Sequence, residues 1–377
     1  MRIGIDAHAA EKDGTGNCTY IRGLIDGLAQ IDDRNEYFLY VTDAHHPFYD
    51  RLRSRANFHI RILRPKNPLI RIPLSLGRRS FSDNLDVLHV QYIAPPIHKG
   101  KLVLTIHDLA FLHFPESFDR FERFRSRLLV PPNARRAERI LCGSQHSKVD
   151  IAKRCRVDEA KIEVTPYSPP SSFRLVDPYD ERKQAVLKKY GVNKRFIFTL
   201  GRLNLRKNLK TLIKVYTMLR NRERIDVLLV VGGKKDFLYG ETLRNIENSG
   251  YKEDIILTDF IEEEDLPLVF SAAEVFVYPS LFEGFGLPPL EAMACGCPVV
   301  TSNVSSIPEI VGDAGVLINP DNEEEMLKAI VSIISDANIR ENMRRKGLDR
   351  ARHFSWEAAA RKTLKVYEAV HRQGEID

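Results

Sequence analysis

Residues Ser280–Val300 read SLFEGFGLPPLEAMACGCPVV, and they follow the β-branched and aromatic run VFVYPS. The run predicts a buried strand, the turn E-G-F-G-L-P-P carries Glu283, and Leu290 to Cys295 predicts a helix carrying Glu291. Glu283 in the turn is expected to point freely into a cleft. Leu290, Ala292, Met293 and Ala294 surround Glu291 with apolar neighbours, which argues against a fully exposed helix. A buried carboxylate is costly without partners, and two vicinal hydroxyls are one such partner.

The same alternation extends in both directions from this stretch. RIGIDA, YFLYVT, DVLHVQ, KLVLTIHD, RILCGS and IEVTPY occupy the first 167 residues, and FIFTLG, VLLVVGG, IILTDF, EVFVYPS, PVVTSN and GVLINP lie between 196 and 320. Helix-length segments such as Asn208–Asn221 and Asn322–Asp336 separate most of them. Apolar strands with helical crossovers predict parallel sheets covered on both faces. The proline-serine cluster PYSPPSSF (Pro166–Phe173) divides the two batches and suits a hinge. Two doubly wound α/β domains are expected, residues 1–170 and 171–355, with a last helix over about 356–377. Ligands of such sheets sit beyond the carboxyl ends of the strands.

A length of 377 residues suits two domains, and 43% hydrophobic with 29% charged residues is ordinary globular composition. No apolar run approaches a membrane span, and the N-terminus lacks the zones of a secretory signal, so a cytoplasmic protein is expected. Cys18, Cys142, Cys155, Cys295 and Cys297 follow no framework spacing and are expected to be buried thiols. The net charge is +6, and Arg51–Ser82 holds nine Lys/Arg and no Asp or Glu. Such a run is a solvated surface or a site for an anionic membrane, a phosphate-bearing substrate or nucleic acid.

Three strand ends carry chemistry. After the first strand, Gly14 and Gly16 flank Thr15 ahead of an apolar-periodic segment beginning near Tyr20, a tight turn or a close approach to phosphate. In GRLNLRKNLKTL, Arg202 and Lys207 lie between a strand and a helix N-terminus, which favours anions. The third is the stretch containing Glu283 and Glu291.

Together G-T-G, G-R-x-x-x-x-K-N and E-G-F-G-L-P-P-L-E-A-M-A-C-G-C-P-V-V resemble the retaining nucleotide-sugar glycosyltransferases, within them the bacterial mannosyltransferases of polysaccharide assembly. The resemblance implies the GT-B fold, two Rossmann-like domains facing across a cleft. It implies that Glu291 takes the ribose hydroxyls of a nucleotide and Glu283 the hydroxyls of the donor sugar. Backbone amides around Gly284, Phe285, Gly286 and Leu287 would face sugar and diphosphate, with Arg202 and Lys207 neutralising the leaving group and Gly14, Thr15 and Gly16 approaching from the other domain.

His107 ends the strand KLVLTIHD. Read alone it is a packed histidine; the resemblance, with its neighbour Asp108, places it near the reacting centre, bonded to the donor sugar. The implied reaction retains configuration, with the departing phosphate able to accept the acceptor's proton. It needs no protein nucleophile and, with no Asp-x-Asp pair present, no metal or other cofactor; His107, Arg202, Lys207 and Glu283 are the catalytic candidates. The chain departs from the family at Asp259, where glycine is common, and at the hinge.

The acceptor is expected on the N-terminal domain, as a glycan with or without a lipid anchor. In SFDRFERFRSRLL, Phe118, Phe121, Phe124 and Leu128 recur at helical spacing with Arg120, Arg123 and Arg127 off the stripe. The helix either packs its aromatics on the sheet or lies on an anionic membrane at the inner face of the cell. The donor expected is GDP-mannose; GDP-fucose, UDP-glucose and UDP-N-acetylglucosamine are alternatives. A nucleotide-sugar epimerase and a non-catalytic binder of anionic lipid or nucleic acid are the rival classes, and the co-location of Glu283, Glu291, Arg202 and Lys207 speaks against a pure binder.

Overall fold

The computed structural model describes residues 1–177, 179–234 and 239–373. The chain divides into two compact units: Met1–Tyr167 joined by the segment from Ser355, and Ser168–Phe354. The first division falls inside the proline-serine cluster, where repeated prolines remove ladder donors and bar continuation of either regular structure.

The first unit is built on a seven-stranded, all-parallel sheet: β1 (Arg2–Asp6), β2 (Glu36–Val41), β3 (Phe58–Ile62), β4 (Val87–Gln91), β5 (Lys101–Thr105), β6 (Arg139–Cys142) and β7 (Ile162–Val164), in the order β3-β2-β1-β4-β5-β6-β7. The interior strands are buried almost throughout, which is why they read as unbroken apolar runs. Strand β3 is absent from the sequence reading. It is an edge strand, FHIRI, whose basic flanks hide an alternating pattern, and it pairs with β2 from Tyr37↔Phe58 to Val41↔Ile62.

Helix α1 (Gly16–Ile31) begins four residues before the apolar periodicity suggests, because Thr15 caps it by accepting a hydrogen bond from the Cys18 amide at 3.2 Å. Helix α2 (Gly77–Ser82) precedes β4 and helix α3 (Arg120–Arg136) precedes β6. The C-terminal helix (Trp356–Gln373) packs along α1. Gly23 and Gly27 make room for it: an added Cβ at Gly23 would lie 2.0 Å from the Trp356 ring.

Four cations of the basic run Arg51–Ser82 pair with acids outside it. Arg51 pairs with Asp26 at 2.7 Å, Arg53 with Asp50 at 3.3 Å, and Arg61 and Arg79 with Asp83 at 3.5 and 3.4 Å. Arg71 is buried. Two of these acids, Asp50 and Asp83, lie just beyond the ends of the run and pair locally with Arg53 and Arg79, while Arg51–Asp26 and Arg61–Asp83 join residues more than twenty positions apart.

The second unit carries six parallel strands: β8 (Phe196–Leu200), β9 (Leu228–Gly232), β10 (Ile255–Asp259), β11 (Val275–Tyr278), β12 (Val299–Ser302) and β13 (Val316–Ile318), ordered β10-β9-β8-β11-β12-β13. Every strand expected from the sequence is present. Helix α4 (Leu209–Arg222) buries Leu212, Val215, Tyr216 and Leu219 against β8 and β9 residues. Helix α5 (Leu287–Ala294) crosses from β11 to β12. Its start lies three residues earlier than predicted, since Pro288 and Pro289 fall in the first turn, where a missing N–H breaks no helical bond. All five cysteines are buried thiols.

Candidate active site

Strand order reverses at β8 and β11, the switch point of the second sheet, and both strand ends bear the charged residues singled out above. Strand β11 ends in Tyr278, and the loop that follows carries Ser280 and Glu283 and is tied down by neighbouring hydroxyls. Ser306 Oγ donates to the carbonyls of Glu283 and Phe285 at 2.9 and 2.8 Å, and Ser305 Oγ accepts from the Glu283 amide at 3.0 Å. Gly286 caps α5 at φ +107°, a conformation strained for any side chain.

Glu283 does not point freely outward. It is 8% exposed, and its Oε1 accepts from Lys207 Nζ at 2.6 Å, Tyr278 OH at 2.9 Å and Ser280 Oγ at 2.5 Å. Its Oε2 faces Arg206 Nη1 at 3.0 Å. Burial by itself would raise the carboxyl, but the two cations and these hydrogen bonds outweigh it and hold the acid at about 2. Lys207 also contacts the Tyr278 hydroxyl and lies 4.6 Å from that ring's centroid. The cluster thus contains a cation that the sequence reading passed over: Arg206, which also donates to the Phe282 carbonyl at 2.7 Å. Its place directly before Lys207, in a motif already marked as anion-binding, was the available signal.

Arg202 is exposed in the loop after β8. Glu291 lies on α5, equally buried at 8%, yet no hydrogen bond reaches its carboxyl among the described residues. Burial, with the charge of Glu263 added, pushes it up to about 8. Two carboxyls eight residues apart are therefore held in opposite states, one ionised and bonded to two cations, the other able to carry a proton and awaiting partners. Asp259, the departure from glycine, adopts φ +56° and keeps its carbonyl 2.7 Å from the Gly233 amide. An aspartate tolerates this left-handed conformation better than most residues, so the backbone path survives the substitution.

In the first unit, His107 is buried, with both ring nitrogens engaged: Nδ1 with Tyr167 OH at 2.7 Å and Nε2 with Gln91 Oε1 at 2.8 Å. Burial, reinforced by the nearby His89, lowers it to about 3 and keeps it neutral. The packed reading describes this geometry, and the expected bond to a donor sugar would require one partner to be exchanged. Asp108 accepts from the Ala110 amide at 2.8 Å. Gly14 and Gly16 are exposed on either side of the capping Thr15.

Two further residues at these strand ends were not visible in the sequence. His8 Nδ1 lies 2.6 Å from Oδ1 of the buried Asp6, at the end of β1. Tyr92 follows β4 at φ +61°, rare for a bulky side chain, with its ring 5.6 Å from that of His107.

Comparison with known proteins fits this geometry. The family described as Glycosyl transferases group 1 matches residues 181–350, and Glycosyltransferase Family 4 matches residues 18–167. The O-antigen chain mannosyltransferase B of Escherichia coli is 32% identical over 279 residues, 73% of this chain and 72% of that one. The chain belongs to the glycosyltransferases. A longer relative of this glycosyltransferase, the serotype-specific mannosyltransferase WbdA of Escherichia coli, is 29% identical over 262 residues, 68% of this chain but only 32% of that one. Its fold is GT-B: the sucrose-phosphate synthase of Thermosynechococcus elongatus superposes with a TM-score of 0.77 at 18% identity, over 99% of this chain and 100% of that one. Among the described residues no group of His, Cys, Asp and Glu could hold a metal ion, and no helix is long and apolar enough to cross a membrane.

Proposed function

We propose that this glycosyltransferase moves mannose from GDP-mannose to a glycan acceptor in the assembly of cell-surface polysaccharide, with retention of configuration and without a metal ion. The observation that carries the reading is Glu291, a buried carboxyl without a donor among the described residues, one strand connection away from a cluster of cations. The vicinal hydroxyls of a ribose would supply the two donors it lacks, and a diphosphate would lie towards Arg202, Arg206 and Lys207. The likeness to O-antigen mannosyltransferases supports the choice of sugar and of pathway.

In this reading Glu283 acts through what it holds. Its Oε1 fixes Lys207, its Oε2 fixes Arg206, and Oε2 keeps a lone pair for a sugar hydroxyl. Held cations stabilise charge that develops on the leaving diphosphate without reorganising as it forms. The departing phosphate takes the acceptor proton on the face it leaves, so configuration is retained. His107, neutral, would present a hydrogen bond and not a charge.

The test is a thermal-shift panel of GDP-mannose, GDP-fucose, UDP-glucose, UDP-N-acetylglucosamine and the free nucleotides, on wild type and Glu291→Ala. Guanine compounds should raise the melting temperature of the wild type and not of the variant. A response to uridine compounds alone would reassign the donor, and no response to any of them would overturn the transferase reading.

A further inference from the structure

The two partners of His107 differ in kind. Tyr167, three residues beyond β7, reaches Nδ1 at 2.7 Å through a buried hydrogen bond. The Tyr167 ring lies 4.9 Å from that of Tyr20 and stacks on Trp356 at 6.0 Å and 15°. Tyr20 is anchored in turn, its hydroxyl 2.8 Å from Thr105 Oγ1. Packed this closely, the phenol has one position to take. Gln91, the last residue of β4, holds the other ring nitrogen at 2.8 Å through a part-buried bond. The amide nitrogen of Gln91 is buried with no hydrogen-bond partner among the described residues. An unpaired buried donor costs free energy, so this side chain gains by meeting a further acceptor.

These partners fix where the ring proton lies. A neutral imidazole carries one N–H and one acceptor nitrogen, and burial keeps His107 neutral. Gln91 Oε1 can only accept, so the proton is on Nε2, and Nδ1 accepts from the Tyr167 hydroxyl. Burial, with Tyr20 adding to it, holds the Tyr167 phenol well above its usual value, so it keeps the proton it donates. The backbone is held too: Ser147 Oγ donates to the His107 carbonyl at 3.1 Å.

We propose that Tyr167 is a positioning residue of the transferase: it fixes the His107 proton on Nε2, and Gln91 occupies that N–H until a hydroxyl oxygen of the donor sugar replaces it. Exchange at Nδ1 would open a packed aromatic cluster, whereas exchange at Nε2 moves one flexible amide and lets its unpaired nitrogen find an acceptor. The contact joins residues 60 positions apart, so nothing in PYSPPSSF marks Tyr167 for this role. The sugar in this account rests on the transferase reading; the position of the proton does not.

The test is nitrogen-15 NMR of the full chain labelled at histidine, with the His107 resonances assigned through His107→Asn. Without substrate, the wild type should show a protonated Nε2 and an unprotonated Nδ1; a proton on Nδ1 would overturn the proposal. Gln91→Leu should keep that pattern, since Tyr167 still donates, and Gln91→Leu/Tyr167→Phe should show shifts averaged over both tautomers. Averaging already present in Gln91→Leu would make Gln91 the residue that places the proton, against the proposal. A double variant that melts like wild type and keeps the wild-type pattern would also overturn it. In the wild type, GDP-mannose should move the Nε2 resonance and leave Nδ1 unprotonated, whereas GDP, which lacks the sugar, should not move it. A melting temperature raised by GDP-mannose with Nε2 unmoved, or moved equally by GDP, would show binding without the exchange and sink the role of Gln91. Failure of every nucleotide sugar to raise the melting temperature counts against the donor reading instead, and the tautomer of the free enzyme then still decides the role of Tyr167.

Discussion

Glu283 and Glu291 carry the same functional group under the same burial, and their surroundings drive them apart. For Glu283 the cations of Arg206 and Lys207 exceed the desolvation cost; for Glu291 nothing offsets it. Folded Glu291 holds its proton to about 8, while the unfolded chain releases it near 4.5. Between those values the folded state binds more protons, so this residue lowers stability as pH rises through the window and is neutral below it. Glu291→Gln should therefore be more stable than wild type at pH 8, by an amount on the order of several kcal/mol, and close to wild type at the lower end of the window. Melting temperature against pH for both proteins checks this, and parallel curves would exclude Glu291 as the titrating group. Glu283 contributes in the opposite sense, with stability present above about 4.5 and lost as pH falls towards 2. The sequence supplied both carboxyls and their place near a helix start. It could not supply Arg206 as a partner, because that contact joins residues 77 positions apart whose neighbouring lysine already accounted for the motif.

At the scale of elements, local chemistry set most boundaries. Thr15 starts α1, and Gly286 with two prolines starts α5. What surrounds a helix was less accessible. Helix α1 was legible from its apolar period, but not the fact that Gly23 and Gly27 are small because the C-terminal helix crosses there. Gly23→Ala would favour the isolated helix by about 0.5–1 kcal/mol, yet its methyl would meet the Trp356 indole. Overpacking should win, giving net destabilisation of about 1–3 kcal/mol. A urea titration measures it, and Gly23→Ala with Trp356→Leu should recover part of the loss. In α3 the aromatic period was legible, while its direction was left open between the sheet and a membrane surface. A stripe records that one face differs from the other; which face meets the sheet was decided by Val130, Asn133 and Ala134 near its C-terminal end.

At the scale of the whole molecule, the chain leaves the first unit after Tyr167 and returns to it at Ser355. The returning helix buries Ala359, Ala360, Val366, Tyr367 and Val370, and Tyr367 OH lies 2.6 Å from Nδ1 of the buried His89. At about 1.5–3 kcal/mol for each larger buried side chain, this helix contributes an amount comparable to the roughly 5–15 kcal/mol that keeps a domain folded. Ending the chain at Phe354 should therefore abolish the cooperative unfolding transition of the first unit while that of the second persists. Differential scanning calorimetry of the truncated and full chains distinguishes the two. By itself the sequence determined the parallel α/β class, twelve of the thirteen strands, and the residue types at the strand ends, because buried strands, turns and helix caps are written in adjacent residues. Only the tertiary structure decided that β3 closes an edge, that Glu283 is sequestered by cations while Glu291 is not, that His107 is fully bonded, and that α3 turns its aromatics to solvent. Each of these depends on burial and on charges brought together from distant positions, quantities that a linear order of residues does not contain.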